Sequence, residues 1–526
     1  MMISSFLHFL EKQLKYIYLQ PLTLLPCILF LLFLYKWLKF TTVSRKNLPP
    51  TPPKLPILGN IHQLGTQPHR SLRSMSEKYG DIMMIQLGSM PTIVVSSTRA
   101  AREIMVNHDI VFANRPMSKK GERLLYNYKD IVGSPYGEYW RQMKSICVVH
   151  LLSNKMVRSF SIVREEETAL LMEKIRQAES SPVNLSEMFV EFTNDLICRV
   201  AFGRKYIGTE GGINFKKVMK EFSRLLAEFN VEDYIPWLAW IDKLNGWNAK
   251  VDRVAKELDR FLEKVVKEHQ DRLNDCRKTE KGDSTDEKVK DFVDVLLDVQ
   301  KDQTGHFPID RDSIKALILD MFIAGTDTTS TLLEWAMTEL SRHPKILKKL
   351  QEEVKEITGD GVDVKEDDLE HMKYLKAVVK ETLRLHLSVP LLIPRQSTQD
   401  IEICGYNIPA RTGVIINGWT IHRDPASWDE PEKFNPERFL NSTTDFRGHD
   451  LQFIPFGAGR RMCPGISFAI ASSQLLLGNL MLKFDWKLPG EADGESLDMS
   501  ESFGITMCRN TPLFVVAKAC TPAAGS

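Results

Sequence analysis

The chain has 526 residues, of which 43% are hydrophobic and 26% are charged, and its formal net charge at pH 7 is +1. This composition is ordinary for a folded protein, and the balanced charge argues against a nucleic acid or an acidic polymer as the partner. No low-complexity linker divides the chain, so we predict one large globular unit with an appendage at its N-terminus.

The N-terminal appendage has the features of a membrane anchor. The span Tyr16–Tyr35 contains no charged residue, and about 20 apolar residues suffice to cross a bilayer. Lysines and arginines are concentrated after the span, which orients the remaining chain to the cytosol. A cleaved signal peptide is the alternative, but the run is long, contains Pro21 and Pro26, and lacks a clear cleavage site. We predict an N-terminal tail over 1–15, a transmembrane anchor over 16–36, a basic, proline-rich hinge over 37–60, a folded domain over 61–520 and a tail over 521–526.

The folded domain is predicted to be mainly helical. Apolar, β-branched runs at Ile82–Leu87 and Thr92–Val95 predict a hairpin, whereas nearly every later long segment has helical period. A helix of about 30 residues is predicted from Asp312 to His343, where Pro344 stops it. The polar stretch from Gln270 to Lys290 is predicted to be a solvated loop.

The middle of the predicted 312–343 helix is unusually small and polar. Met321, Ala324 and Thr328 fall on one face, and Gly325 costs about 1 kcal/mol of helix stability. A hydroxyl here can bond to the carbonyl one turn earlier and bend the helix. A plain crossing of two helices at a small residue explains the pattern as well as a binding site does.

A glycine-rich loop, FIPFGAGRRMCPG over 453–465, presents Cys463 at the centre of the candidate site. The apolar run Ile466–Leu477 predicts a helix that begins just after the cysteine, where amide donors and the helix dipole would lower the thiol pKa and favour metal ligation. The eight cysteines include no CxxC pair, which argues against a zinc or disulfide framework. A dinucleotide fingerprint would need glycine at Met462. Most lone cysteines are buried small hydrophobes, so the loop alone leaves both interpretations open.

These motifs together resemble the cytochrome P450 family, in the style of its plant A-type branch. The loop matches the family's FxxGxRxCxG pattern at every fixed position, namely Phe456, Gly459, Arg461, Cys463 and Gly465. Residues 324–329 match its AGxDTT motif, and the hinge matches its PPxPPxLPxxGN pattern. The resemblance implies the cytochrome P450 fold, mainly α with small β-sheets, as a single large domain behind an N-terminal transmembrane helix.

The resemblance also implies haem b as the cofactor, with Cys463 as its metal ligand. Thr328 and Asp327 are the implied catalytic residues, which deliver protons during dioxygen activation. Lys144 stands where the family's WxxxR helix has arginine, so the charge is kept but the planar fork is lost, and Arg141 is a candidate substitute. The implied cofactor contacts are Cys463, Arg461, Arg395, Trp140, Lys144, Phe456, Gly457, Gly465 and Ala324.

A structural network and a substrate pocket are implied as well. Glu381 and Arg384 resemble the family's ExxR element and Arg438 its PERF element, which form a buried network for folding and haem retention. Taken alone, the i, i+3 pair is a common surface pair of little energetic worth. Related members read HPP where this chain has residues 386–388, His-Leu-Ser, and the change lies next to the substrate wall, where it could alter specificity. The implied pocket residues are Met321, Ala324, Val389, Leu392, Phe503 and Ile505.

The implied activity is insertion of one oxygen atom from O2 into a small lipophilic plant specialised metabolite, of the terpenoid, coumarin/phenylpropanoid or alkaloid class. No flavin or nicotinamide motif is present, so electrons from NADPH would arrive through the NADPH–cytochrome P450 reductase, with cytochrome b5 as a further candidate donor. The implied location is the endoplasmic reticulum membrane, with a single-pass anchor and the catalytic domain facing the cytosol. Two alternatives stay open: a P450-type rearrangement, cyclisation or dehydration without net oxygen insertion, against which Asp327 and Thr328 argue, and a non-catalytic haem- or lipophile-binding membrane protein.

Overall fold

The computed structural model describes residues 47–178, 181–206, 209–210, 213–279, 290–302, 307–490, 493–502 and 504–520, together with residues 26, 28, 30 and 31. Apart from those four isolated positions, the predicted anchor lies outside the described residues, as do both predicted tails and Phe503 of the predicted pocket. The chain divides into two compact units, one of residues 1–48 with 405–407 and one of residues 49–404 with 408–526. The second unit contains the candidate site.

Helices dominate the described chain, in agreement with the predicted fold class. In chain order they are α1 Pro68–Tyr79, α2 Thr98–Arg102, α3 Asp109–Phe112, α4 Lys119–Leu124, α5 Glu138–Ile146, α6 Asn154–Ser159, α7 Ser161–Arg176, α8 Leu185–Phe202, α9 Phe215–Ala227, α10 Val231–Tyr234, α11 Trp240–Leu244, α12 Trp247–Thr279, α13 Phe292–Asp302, α14 Arg311–Arg342, α15 Pro344–Thr358, α16 Lys373–Leu385, α17 Gly418–Ile421 and α18 Ile466–Lys483. Short 3₁₀ or π turns cover Ile61–Gln63, Glu103–Asn107, Cys147–Leu151, Pro236–Leu238, Asp368–Glu370, Pro436–Phe439, Gly459–Arg461 and Gly494–Ser496.

The strands are short and form small sheets. They are β1 Ile82–Leu87, β2 Met90–Val95, β3 Pro182–Asn184, β4 Thr209–Glu210, β5 Ile213–Asn214, β6 Arg395–Gln396, β7 Ile401–Ile403, β8 Tyr406–Ile408, β9 Gly413–Ile416, β10 Phe484–Lys487 and β11 Phe514–Ala519. The predicted hairpin is confirmed, because β1 pairs antiparallel with β2, with Ile82 opposite Val95. This sheet has the order β1-β2-β9-β6, a second sheet has the order β10-β11-β3, and β4 pairs with β5. The first sheet positions the site, because its last strand carries Arg395.

The long predicted helix is confirmed as α14, within one residue of the expected bounds. The Asp310 side chain caps it by accepting the Ser313 amide at 2.8 Å, which satisfies a donor that the first helical turn leaves free. Its last residue lies two positions before Pro344, the first residue of α15. Apolar residues bury most of its surface against α8, α16 and α18, so α14 is the central element of the domain.

The predicted loop between Gln270 and Lys290 is wrong in its first half. Helix α12 continues to Thr279, and residues 280–289 lie outside the described part of the chain. The side chains at 271, 272, 274 and 275 of this helix are exposed, and the sequence has neither glycine nor proline from Gln270 to Lys281. Charge density alone therefore does not distinguish a solvated loop from a solvated helix.

The predicted helix after the cysteine is confirmed as α18, which begins at Ile466. Among the described residues it is the one helix whose length and hydropathy would let it cross a membrane. However, 61% of its apolar window is buried inside the fold. Helix α18 is therefore a core helix that packs behind the cysteine loop.

Candidate active site

The loop before Cys463 has a backbone conformation that requires glycine at two positions. Gly457 and Gly459 have φ values of +71° and +68°, in the left-handed region that other residues rarely adopt. A Cβ at Gly459 would lie 2.2 Å from the carbonyl oxygen of Met105. The Cys463 amide donates to the Phe456 carbonyl at 3.0 Å, so the loop closes on itself and holds the thiol just before α18.

The pKa of the Cys463 thiol departs from the expectation. The Gly465 amide donates to the sulfur at 3.4 Å, as a helix N-terminus should. Burial nevertheless raises the pKa of Cys463, and this effect outweighs the Gly465 amide and the charge of Lys144. The predicted lowering is therefore wrong for the protein by itself, because desolvation of the sulfur within the fold outweighs both stabilising effects. Metal ligation would release the proton, since thiolate is the form that binds.

Lys144 lies against the loop. Its Nζ donates to the carbonyls of Arg460 and Met462, at 2.5 and 2.9 Å. Burial lowers the pKa of Lys144 to about 8. Arg141 is directed away: its side chain is 58% exposed and lies 3.6 Å from Glu138. Of the two basic candidates on α5, Lys144 is the one that reaches the cavity.

Two predicted arginines lie at one edge of the cavity. Arg395 donates to Asp109 Oδ1 at 2.9 Å and to the Ala458 carbonyl at 2.8 Å. The guanidinium carbon of Arg461 lies 4.2 Å from the ring centroid of buried Trp140, within the range of a cation–π contact. The Nε, Nη1 and Nη2 groups of Arg461 donate to three backbone carbonyls, those of Ala113, Ile131 and Ser134.

A third arginine of this cluster, Arg115, was not among the predicted site residues. It is 6% exposed and donates to the carbonyls of Val132, Ile393 and Pro394 at 2.9, 2.7 and 2.7 Å. Burial and the neighbouring guanidinium of Arg461 lower its pKa well below the ordinary value. The available signal was an arginine two positions after the apolar run 110–113. Such a signal is weak, because it does not indicate where in the fold the arginine side chain lies.

The arginine cluster carries an excess of buried positive charge. Burial lowers the pKa of Arg395, and it lowers the pKa of Arg461 to about 10, where the charge of Arg395 adds to the effect. The neighbouring carboxylates that raise these pKa values are Asp109 and Asp130. Buried charges of one sign are stabilised by groups of the opposite charge nearby. The cluster therefore fits an anionic ligand, and guanidinium groups are suited to carboxylates.

Helix α14 forms the opposite wall of the cavity. Met321, Ala324 and Thr328 line it. The Thr328 hydroxyl donates to the Ala324 carbonyl at 2.6 Å, which leaves the hydroxyl oxygen free to accept hydrogen bonds from the cavity. A Cβ at Gly325 would lie 2.7 Å from Ile197 Cδ1 on α8. Both interpretations raised by the sequence therefore apply: Gly325 allows the close crossing with α8, and Ala324 forms part of the cavity wall.

Asp327 is half-buried beside Thr328 and bonds to a second helix. Its Oδ2 accepts the Ser223 hydroxyl of α9 at 3.1 Å. Burial raises the pKa of Asp327, while Ser223 and the charge of Lys220 oppose this shift. Asp327 lines the same cavity as Thr328.

A second acid of α14, Asp320, also lines the cavity and was not predicted. Its Oδ2 accepts the Ile131 amide at 2.6 Å. Burial and the nearby Asp130 raise the pKa of Asp320 well above the ordinary value, and burial raises the pKa of Asp130 to about 6. Asp320 thereby fixes the segment after Asp130 to α14.

The charged network behind the cysteine loop has a fully enclosed centre, formed by Glu381 and Arg384. Arg384 donates to both carboxylate oxygens of Glu381 at 2.7 and 2.8 Å, and Arg438 donates to Oε1 at 3.1 Å. Glu381 and Arg384 have no exposed surface. His422 connects the network to the loop, since its Nδ1 lies 3.2 Å from the Arg384 carbonyl and its Nε2 accepts the Ile454 amide at 2.8 Å.

The cavity between loop and helix has a volume of about 690 Å³, within the usual range of ligand sites. Cys463 and the predicted pocket residues of the described chain line this one space, namely Met321, Ala324, Val389, Leu392 and Ile505. Leu392 has φ of +51°, which is unusual for a bulky side chain. Its backbone is fixed by a bond from its amide to the Val389 carbonyl at 3.0 Å.

The residues of the cavity fit haem b. Cys463 offers a sulfur for iron, apolar side chains of α14 and of the 389–393 segment offer walls for a flat ring, and the arginine cluster offers partners for its carboxylates. Val389 and Ile505 belong to the apolar lining of the same cavity, which suits a lipophilic molecule.

Comparison with known proteins agrees with this fit. The family model described as cytochrome P450 matches residues 49–514. Cytochrome P450 736A117 from Prunus mume is 54% identical over 506 residues, which are 95% of this chain and 96% of that protein. Norfluorocurarine oxidase from a Strychnos species is 49% identical over 497 residues, which are 94% and 97% of the two chains. A zebrafish cytochrome P450 solved with abiraterone has a TM-score of 0.70 at 26% identity, covering 86% of this chain and 100% of its own.

Proposed function

Because the chain belongs to the cytochrome P450 family of haem b monooxygenases, we propose that it inserts one oxygen atom from O2 into a small lipophilic plant metabolite. The observation that carries this proposal is one cavity with the Cys463 thiol on one side and the Ala324–Thr328 stretch of α14 on the other. When bound, haem b supplies the iron at which dioxygen is activated and the oxygen atom is transferred.

Cys463 is the proposed iron ligand, and the glycine loop fixes its position. The Gly465 amide would tune the sulfur by donating to it. The arginine cluster and Lys144 would neutralise the two cofactor carboxylates. Trp140 keeps Arg461 in place through the ring contact.

Thr328 and Asp327 are the proposed proton-delivery pair. The Thr328 oxygen faces the cavity as an acceptor because its own proton is used within α14. Burial raises the pKa of Asp327, which favours its protonated form relative to an exposed carboxyl group. Positioned acids of this kind contribute about 10²- to 10⁴-fold to a rate. This pair favours oxygen insertion over rearrangement, cyclisation or dehydration, and over a non-catalytic haem or lipophile binder.

The substrate is proposed to be a small lipophilic specialised metabolite, of the terpenoid, coumarin/phenylpropanoid or alkaloid class. The apolar wall around Val389, Leu392 and Ile505 supports a lipophilic molecule. The similarity to norfluorocurarine oxidase supports a plant metabolite. The fold by itself does not select among these classes.

Membrane attachment at the endoplasmic reticulum, with the domain in the cytosol, is proposed from two features. One is the uncharged N-terminal span predicted from the sequence. The other is an exposed apolar patch, in which Trp237 and Trp240 are 58% and 55% exposed. The Ser89 amide donates to the Tyr234 carbonyl at 2.7 Å, which joins this region to the N-terminal hairpin. The patch comprises Leu55, Ile57, Leu58, Phe229, Trp237, Trp240 and Leu244, and tryptophan is enriched where proteins meet lipid headgroups.

Electrons are proposed to come from NADPH through the membrane-bound reductase, with cytochrome b5 as a further donor. Exposed basic groups flank the cysteine loop: Arg460 within it, and Lys155 and Arg158 on α6. Helix α6 is tied to α18 by the Ser467–Asn154 hydrogen bond of 3.1 Å. Such a face suits an acidic electron donor.

The test is an isotope experiment. The full chain is reconstituted with the reductase in lipid vesicles, supplied with NADPH, 18O2 and an extract of candidate metabolites, and the products are analysed by mass spectrometry. We expect a product that gains one labelled oxygen, at a rate that falls in a Thr328→Ala variant. A product formed without NADPH or O2 would instead support the rearrangement, and haem binding with no product from any substrate would support the non-catalytic binder.

A further inference from the structure

Ser388 joins its own segment, the 504–508 segment and helix α14 beside the cavity. Its side chain lines the cavity and is buried. Its hydroxyl donates to the carbonyl oxygen of Thr328 at 3.2 Å, and its own carbonyl accepts the Met507 amide at 2.8 Å. The first of these bonds requires the serine hydroxyl.

The bonds around Ser388 form a closed ring on α14. The Met507 carbonyl in turn accepts the indole N–H of Trp335 at 2.8 Å. Thr328 and Trp335 are seven residues apart, about two turns, and therefore lie on the same face of α14. The ring runs from α14 to Ser388, from Ser388 to the 504–508 segment, and back to α14. The ring fixes the segment around Ser388 and the 504–508 segment, which both line the cavity, to one face of α14.

Two further contacts reinforce this ring. The ring of His386 stacks on Trp335, with centroids 4.0 Å apart and planes inclined by 6°. Thr331 Oγ1 lies 3.1 Å from Cys508 Sγ, so the 504–508 segment meets α14 at a second point. The segment around Ser388 and the 504–508 segment therefore form one unit with α14 and do not behave as independent loops.

The hydroxyl of Ser388 acts at the proton-delivery residue itself. A helical carbonyl bonds to the amide four residues on and has a second lone pair free. At Thr328 that second lone pair accepts Ser388, in the turn where the Thr328 hydroxyl bonds back to Ala324. A bond at this carbonyl limits how far this turn can move relative to the substrate wall.

We propose that Ser388 is a positioning residue, whose hydroxyl fixes the position of Thr328 relative to the cavity-lining segment around Ser388. With Thr328 fixed there, NADPH is consumed to form product and not to form hydrogen peroxide. The proposal rests on the proposed monooxygenase function. In an uncoupled turnover, NADPH and a proton reduce dioxygen to hydrogen peroxide and leave the substrate unchanged. A loosened Thr328 increases that fraction without changing the thiolate ligand.

The experiment compares Ser388→Ala and Ser388→Pro, which lack the hydroxyl, with Ser388→Thr, which keeps it. Product, peroxide and consumed NADPH are measured for the reconstituted full-length holoenzyme. One neutral hydrogen bond corresponds to a factor of about 2 to 10, so we expect the ratio of product to NADPH to fall by that factor in the first two variants. Ser388→Thr should restore it. The ferrous carbonyl spectrum should be the same in all four proteins.

A second readout does not depend on turnover. Hydrogen–deuterium exchange of the holoenzyme should be faster at residues 386–394 and 504–508 in Ser388→Ala, return to the wild-type rate in Ser388→Thr, and stay unchanged at 453–465. Wild-type coupling and exchange in Ser388→Ala would overturn the proposal, as would a Ser388→Thr variant as impaired as the alanine. If the wild-type protein itself forms no product from O2 and NADPH, the proposed function fails, and the exchange experiment still decides whether the ring exists.

Discussion

Replacement of Glu381 by glutamine tests the buried network most sharply. The Glu381 carboxylate has no exposed surface and accepts two bonds from Arg384, one from Arg438 and one from the Asn435 amide at 2.8 Å. Glu381→Gln keeps the shape but removes the charge, so the buried Arg384 guanidinium loses its counterion. Breaking a buried pair costs about 3 to 5 kcal/mol. The low end applies here, because Arg384 also donates to three backbone carbonyls that partly solvate its charge.

The assay is denaturant unfolding of the full-length holoenzyme, followed by tryptophan fluorescence and by loss of the Soret band. The matched control is Glu352→Gln on α15, whose partner Lys348 lies four residues earlier at 3.8 Å with both side chains more than half exposed. Such exposed pairs contribute about 0.2 to 1 kcal/mol. We expect Glu381→Gln to lower the free energy of unfolding by about 3 kcal/mol and the control to change it by less than about 1 kcal/mol. An equal loss of unfolding free energy in the two variants would refute the claim that burial makes the Glu381 network more important than an exposed pair.

Three further predictions address proton delivery, the loop and pH. Asp327→Asn should lower product formation by about 10²-fold or more, with unchanged substrate-induced spectral shifts, because the asparagine cannot release a proton. Gly459→Ala should abolish haem retention in the purified protein, because its Cβ would meet the Met105 carbonyl at 2.2 Å on a backbone with φ of +68°. Burial alone raises the pKa of Glu501, but hydrogen bonds from His69 and Arg70 hold it at about 2, below its ordinary 4.5. The resulting stability is present above pH 4.5 and is lost as the pH falls towards 2, so the pH dependence of unfolding over that window should flatten in Glu501→Gln.

Local patterns in the sequence were sufficient for the elements around the site. The hairpin, α14 and α18 could be predicted because alternation, helical period and a stopping proline lie within short stretches. The haem family could be recognised because the Cys463 loop carries its signature in ten residues. Helix α12 was partly missed because a charged helix end and a charged loop have similar composition.

Properties that depend on burial could not be predicted in this way. The helix N-terminus indicated a lowered pKa for Cys463, but the enclosing fold raises it. Arg115 and Asp320 were missed because their partners lie far away in sequence and are mostly backbone groups. The sequence indicated that residues 386–388 lie next to the substrate wall, whereas the bond from Ser388 to Thr328 depends on the fold.

The central claim, that Cys463 is the thiolate ligand of haem iron, is tested most directly by the absorption spectrum of the reduced protein with carbon monoxide. We predict the red-shifted Soret band of thiolate ligation in the wild-type protein, and its loss in a Cys463→His variant that still contains haem. A wild-type band at the position typical of histidine ligation, or a red-shifted band that persists in Cys463→His, would contradict the account.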